Sequence, residues 1–496
     1  ATRVPRTQQV VVSPELLRGS LEHLAPEQTG RMNRPVDYRS DLYAVGAVLY
    51  HAFSGRPPLR AGNAMALVHA LLAQEPVPLD EEDARIPGTV ARIVQRLLAK
   101  SVVHDYRSAA GLALDLERCL LAIEQNGSVL PFELGSLDRS RVLRLSERLY
   151  GRQAEVDALM EAFSASADGA RALLLVSGYA GIGKTSLIHE VHRPIVERRG
   201  YFFSGKFDQL ARTEPLEGLR HALGQLIGQI LTESEDQLQT WRRRLAQALD
   251  GEGGVIIELL PEVRHILGEQ PAVVDLGPAE SRRRFDSVVV RFIQAFAGPG
   301  HPLVLFLDDL QWVDPASLRV LRALLSSEES RHLLVICAFR DNEVDALHPF
   351  SLTTEALTEE AVEIRRITLG PLSQDDVRAL VADSLDLPLE ECAPLADLID
   401  HKTGGNPFYV NQYLRSLLDD RLLALDAHQG RWAWNLDRIR LLEVTGSVVD
   451  LMVRRTSRYP QETQDLLMVA SVLGNTVDLD TLAVVHGTGP RVVARA

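Results

Sequence analysis

One stretch of eight residues constrains this chain more than any other. Gly178 to Thr185 reads GYAGIGKT and matches GxxxxGK[ST]. A chance match in a chain of this length has a probability on the order of 0.02. The flanks narrow it further. ALLLVS, from Ala172, has the length of a buried strand, and TSLIHEVH after the loop reads as a helix. Gly178, Gly181 and Gly183 permit a tight turn whose N–H groups face phosphate oxygens. The helix that follows offers its positive end to the same anion. Lys184 supplies a mobile cation for the β- and γ-phosphates, and Thr185 a hydroxyl for magnesium. Ile182 and Ser186 complete the set expected to touch the nucleotide. The expected ligands are ATP or ADP with Mg2+. The competing reading is a glycine-rich turn with a solvated lysine.

Such a loop needs an acid at the end of a neighbouring strand, and VLFLDDLQWVD provides one. The apolar run Val304 to Leu307 leads into Asp308 and Asp309. Asp308 is the expected magnesium ligand, directly or through water. Asp309 stands where it would orient the attacking water. It is shorter than a glutamate, so slow hydrolysis is expected.

The rest of the chain organises around this centre. Residues 1–124 read as helical. A helix capped by Ser40 runs through DLYAVGAVLYHAF to Gly55. A second covers Ala64 to Gln74, and a third follows Pro87. A fourth spans Ser108 to Ile123, with Leu112, Leu116, Leu120 and Ile123 at helical spacing. Residues 125–147, with Gly127, Pro131 and Gly135, read as a linker. Strands are expected at Ala172–Ser177, Tyr201–Ser204, Leu303–Leu307, Leu333–Phe339 and Glu363–Leu369. Strands alternating with helices indicate a parallel sheet, so the fold class is multidomain α/β. Ser373 and Asp376 fit a capping box that opens a further helical stretch.

At 496 residues the chain has room for about three domains. A net charge of −14 argues against a nucleic-acid coat or a basic membrane-surface protein. No apolar run approaches the ~18–20 residues of a membrane span, and no signal peptide is evident. Cys119, Cys337 and Cys392 are far apart and read as reduced thiols, so a cytoplasmic location is expected. His189 and His192 lack further ligands at zinc spacing. Beginning at Ala1 and ending just past an apolar stretch, the chain reads as a piece of something longer.

LYGRQAEVDAL at Leu149, the glycine loop, DDLQWVD and GGNPFYVNQYL at Gly404 together resemble the STAND class of signalling ATPases, within the AAA+-like branch of P-loop NTPases. The resemblance covers about 149 to 496. It implies an ATPase at 148–370, a helical lid at 371–419 and an incomplete winged helix at 420–496. It also implies an adenine pocket lined by Tyr150, Gly151 and Arg152 and by Gly405, Asn406 and Pro407. Gln153 stands where the family often has glutamate. Arg340, ending LLVICAFR, falls where such enzymes place a sensor of the γ-phosphate. GKFDQL at Gly205, LPEVRHILGEQP at Leu260 and RRFDSVVVRFIQAF are similar to one subgroup, the bacterial multidomain kinases. Those proteins join a serine/threonine kinase, this ATPase, a GAF domain and often a sensor histidine kinase. Their usual NRF is here Arg283-Arg284-Phe285.

LAPEQTGRMNRPVDYRSDLYAVGAVLYHAFSGRPPL resembles a protein-kinase C-lobe. Ala25-Pro26-Glu27 matches its APE element, and Arg107 matches the arginine that pairs with that glutamate. Gly19-Ser20 matches the substrate-side loop, and Asp41 the helix that anchors the catalytic loop. No glycine-rich kinase loop, VAIK-type lysine, HRD or DFG precedes them. The chain as given is therefore not expected to phosphorylate proteins by the kinase route, and Asp41 must find solvent or another donor. The expected function is a nucleotide-dependent ATPase switch within a serine/threonine kinase of signal transduction, with partner domains in the same parent chain and a nucleotide-dependent oligomer. The alternatives are a nucleotide-bound scaffold without hydrolysis and a MalT-like transcription regulator.

Overall fold

A computed structural model describes residues 23–495 except 30–35, 37, 61–66, 68–69, 72–73, 101–105, 107, 136–142, 144, 147, 210–214, 234, 272, 275, 427–430, 442–455, 458 and 474–476. Among the described residues, no helix is long and apolar enough to cross a membrane.

The N-terminal region is helical: α1 (Tyr38–Ser54), α2 (Gly88–Leu97) and α3 (Ala109–Asn126). Two expectations are corrected here. Ser40 does not cap α1. It lies inside the helix, buried, and its hydroxyl donates to Glu27 Oε1 at 2.5 Å. The inner face of α3 is Leu112, Asp115 and Cys119, while Leu120 and Ile123 are exposed. Counting apolar residues missed it, because Asp115 is polar and buried. Its Oδ2 accepts from Tyr106 Oη and from the Gly135 N–H, both at 2.7 Å. Ser108 caps α3 as expected. Asp41 is exposed, so solvent serves its carboxylate. Gly19, Ser20 and Arg107 lie outside the described residues, as does much of the helix expected at 64–74.

The central sheet has five parallel strands in the order β2-β3-β4-β1-β5. They are β1 (Arg171–Ser177), β2 (Tyr201–Lys206), β3 (Leu303–Asp308), β4 (Leu333–Phe339) and β5 (Ile364–Thr368). β2 runs two residues beyond expectation, to Lys206. β5 is shorter at both ends, since Glu363 and Leu369 fall outside it. The inner strands read as continuous apolar runs because helices cover both faces. Alternation divides them. Leu173, Leu175, Leu303, Leu305 and Val335 face one core, and Ala172, Leu174, Val176, Val304, Phe306 and Ile336 the other. α4 (Gln153–Ala167) precedes β1, and α5 (Lys184–His189) follows the glycine loop.

Three helices occupy the segment expected as a lid: α6 (Gln374–Leu385), α7 (Leu389–Thr403) and α8 (Pro407–Asp419). The Ser373–Asp376 capping box is present. A hairpin, β6 (Leu423–Asp426) with β7 (Arg431–Trp434), packs into the lid's own core through Leu423, Trp432 and Trp434. Residues expected to begin a separate winged helix thus share a core with 372–417. Helices between Gln461 and Arg495 form a small cluster on Leu466, Ala483 and Val493.

Candidate functional site

Parallel strands place all their C-terminal ends on one side, and ligands bind in such sheets where neighbouring crossovers diverge. β1 sits between β4 and β5, so its following loop opens at that point. Gly178, Gly181 and Gly183 have φ of 148°, 75° and 102°. Gly181 is required for space as well. A Cβ there would lie 2.7 Å from Phe408 Cβ on the lid.

Lys184 is buried and folded onto its own loop, with Nζ donating to the carbonyls of Gly178 at 2.7 Å and Tyr179 at 3.1 Å. Burial lowers its pKa from the usual lysine value, while Asp308 and Asp309 oppose that shift. Thr185 Oγ1 donates to Asp308 Oδ2 at 3.3 Å. The two residues proposed for magnesium, separated by over a hundred positions, therefore meet. Asp308 is raised above the usual aspartate value, first by burial and then by Asp309 beside it. A hydroxyl and a carboxylate form a hard oxygen donor pair, and the crowded negative charge is what a divalent cation offsets, so the residues fit Mg2+. No cluster of three or more His, Cys, Asp or Glu side chains suited to a metal occurs among the described residues. Ile182 is buried under the loop, and Ser186 is exposed on α5.

Asp309 has a left-handed φ of 56° and opens a single 3-10 turn, Leu310–Trp312. Its carboxylate has three neighbours. Lys206 Nζ lies 3.2 Å from Oδ2, Arg340 Nε 3.7 Å from Oδ1, and Gln311 Nε2 donates to Oδ1 at 2.8 Å. Arg340 also pairs with Glu343 at 2.7 Å. Sequence reasoning missed Lys206, Gln311 and Glu343. Lys206 pairs in register with Asp308 across β2 and β3, a neighbour relation that strand order alone creates.

The residues expected around adenine divide into two groups. Asn406 and Pro407 begin α8, and the Asn406 side chain caps that helix at Phe408 N while Nδ2 donates to the Ala180 carbonyl at 3.0 Å. Phe408 N donates to the Gly181 carbonyl at 3.3 Å. The lid thus rests directly on the glycine loop. Gly405 allows this, since a Cβ there would lie 2.5 Å from the Leu372 carbonyl. Tyr150 and Gly151 meet the helix at 374–385, whereas Arg152 turns to the sheet side. Tyr150 Oη donates to Asp383 Oδ2 at 2.7 Å, and burial raises its pKa well above the usual phenol value. A Cβ on Gly151 would strike the Asp376 carboxylate. Arg152 is buried, bonds the Gly370 carbonyl and pairs with Glu155 at 3.5 Å.

Residues 148–336 match a family described as an AAA ATPase domain. The chain is 30% identical to the hybrid signal transduction histidine kinase G of Dictyostelium discoideum, over 96% of this chain and 16% of that protein. It is 21% identical to the peroxide stress-activated histidine kinase mak3 of Schizosaccharomyces pombe, over 92% of this chain and 23% of that one. A 100-residue stretch is 33% identical to the serine/threonine-protein kinase PknB of Mycolicibacterium smegmatis. The chain spans less than a quarter of the length of each of these relatives. Among solved structures, a STAND protein with a tetratricopeptide repeat sensor from Pyrococcus horikoshii is similar over 74% of this chain and 40% of that one, with 15% identity and a TM-score of 0.36. The middle of the chain is similar to AAA ATPase domains, and the chain around it is similar to parts of signalling kinases.

Proposed function

We propose that this chain carries a magnesium-dependent, ATP-hydrolysing switch that works within a larger signalling kinase of the bacterial multidomain kind. The observation that carries the reading is the approach of Thr185 to Asp308 beside a buried Lys184. ATP would lie along the glycine loop, its phosphates on the N–H groups of 181–186 and on Lys184. Mg2+, held by Thr185 and Asp308, would offset phosphate charge. Asp309 orients a water whose oxygen bonds to the γ-phosphorus as the bond to the β,γ-bridging oxygen breaks. ADP leaves with that electron pair, and the water's proton passes by way of Asp309 to solvent. Arg340 would stabilise charge on the γ-phosphate. Tyr150, Gly151, Arg152, Asn406 and Pro407 would hold the base side, with 1–124 as a kinase-like C-lobe, 125–147 as a linker, 148–370 as the ATPase, 371–419 as the lid and 420–496 as an incomplete winged-helix-like domain.

One observation favours a second reading, a nucleotide-bound scaffold that does not hydrolyse. The Asp309 carboxylate is already engaged by Lys206, Gln311 and Arg340. ATP binding and steady-state phosphate release by the purified chain, with and without magnesium and beside Lys184→Ala, separate the two. Slow release that needs Lys184 and magnesium supports the switch. Tight ADP with no release supports the scaffold, and no binding at all removes both.

A further inference from the structure

We propose that Gln311 is the positioning residue for Asp309, and that its side-chain amide ties the acid at the end of β3 to the backbone at the end of β4. The inference rests on the ATPase reading above and deepens it.

Gln311 is 3% exposed, so its amide cannot satisfy itself with solvent. Both ends of that amide are used. Nε2 donates to Asp309 Oδ1 at 2.8 Å, and Oε1 accepts from the Arg340 N–H at 3.3 Å. One partner is a pure acceptor and the other a pure donor. Only one orientation of the amide satisfies both, because a flipped amide would set oxygen against carboxylate and NH2 against N–H. Its main chain is held as well, with the Gln311 carbonyl 3.3 Å from His348 Nε2.

The flanking cations do not fix the carboxylate this way. Lys206 is 59% exposed on a flexible stem, and Arg340 Nε is 3.7 Å distant. They supply charge, whereas the amide supplies direction. Asp309 also sits at a left-handed φ, a conformation that persists where surrounding bonds over-determine it. Through this amide, a shift of the Arg340 backbone reaches the Asp309 carboxylate without any change in β3 itself.

Gln311→Glu is the discriminating variant. It keeps length, shape and the acceptor for Arg340 N–H, and puts a carboxyl in place of the donor that faces Asp309, so Gln311→Met serves as its uncharged control. Gln311→Met keeps length and removes both contacts. In the full chain, kcat for phosphate release and affinity for ATP with magnesium are measured separately, together with the melting temperature. A misplaced reacting group lowers rate by about 10–100-fold. Gln311→Glu is therefore expected to lose kcat on that scale with ATP affinity retained, and Gln311→Met to lose at least as much. Full turnover in Gln311→Glu overturns the inference, and so does a fall in kcat and affinity together with the melting temperature, since either makes Gln311 a brace for the loop. If the unsubstituted chain shows no Lys184-dependent release, the ATPase reading and this inference fall together.

Discussion

The sheet domain and the N-terminal helical region bury comparable side chains but use them differently. In the sheet domain the apolar residues are consumed by two cores, and the charged ones collect at the strand ends, where Lys184, Lys206, Asp308, Asp309 and Arg340 face one another. In the helical region a buried acid, Asp115, holds Tyr106 and the turn at Gly135. Val45, Val48 and Phe53 of α1 stay exposed. A sheet can hold charges close together because paired strands fix where their ends lie. A few helices in contact use a buried acid to hold themselves together.

That contrast can be broken by experiment. Lys184→Ala should remove about 3 kcal/mol of phosphate binding, on the order of a hundredfold in ATP affinity, with little change in melting. Retained affinity in a titration would deny the strand ends their role. Asp309→Asn should keep ATP binding and lower phosphate release by about 10²–10⁴-fold, the contribution of a positioned base; normal turnover would return Asp309 to a structural role. Asp115→Ala should do the opposite, costing about 1–3 kcal/mol for each stranded donor in denaturant unfolding while ATP affinity holds. A coupled loss of affinity would erase the division between the regions.

Acid should act on the sheet domain through the helix behind the glycine loop. Burial, with His192 second, pushes the His189 imidazole down to about 3 from 6.5. The unfolded chain takes up a proton that the folded one refuses, so stability falls as pH drops below 6.5. The slope reaches at most about 1.4 kcal/mol per pH unit. Unfolding midpoints at pH 7 and 5.5 should separate, and His189→Gln should bring them together. The smallest effect is expected at Asp41, which is exposed: Asp41→Asn should stay within about 0.5 kcal/mol. A larger loss in unfolding would reveal a partner for that carboxylate.

Legibility followed contiguity. The glycine loop, Thr185 and the pair Asp308–Asp309 lie in short segments whose spacing states their chemistry. The inner strands declared themselves because both faces are buried. What escaped depends on neighbours that the chain order does not announce. Lys206 stands in a segment whose signal is its likeness to other proteins, and its meaning comes from β2 lying beside β3. Gln311 was in plain view inside DDLQWVD, but a glutamine carries no charge to mark it, and its bonds span two strands. The face of α3 escapes periodicity, which tracks apolar residues rather than a satisfied buried acid. By residue type Ser40 reads as a cap, while its hydroxyl serves Glu27 instead.

The connection between the two regions is packed at both ends. Val129, Phe132 and Leu134 lie on the helical core, and Leu143 and Leu145 lie on the lid core. From Gly135 to Leu143 is eight residue steps, so the covalent reach is at most about 28 Å. A leash that short keeps each side near the other at an effective concentration of roughly millimolar order. Even a surface with feeble intrinsic affinity for the lid would be bound much of the time, and it would remain so under any dilution of the protein.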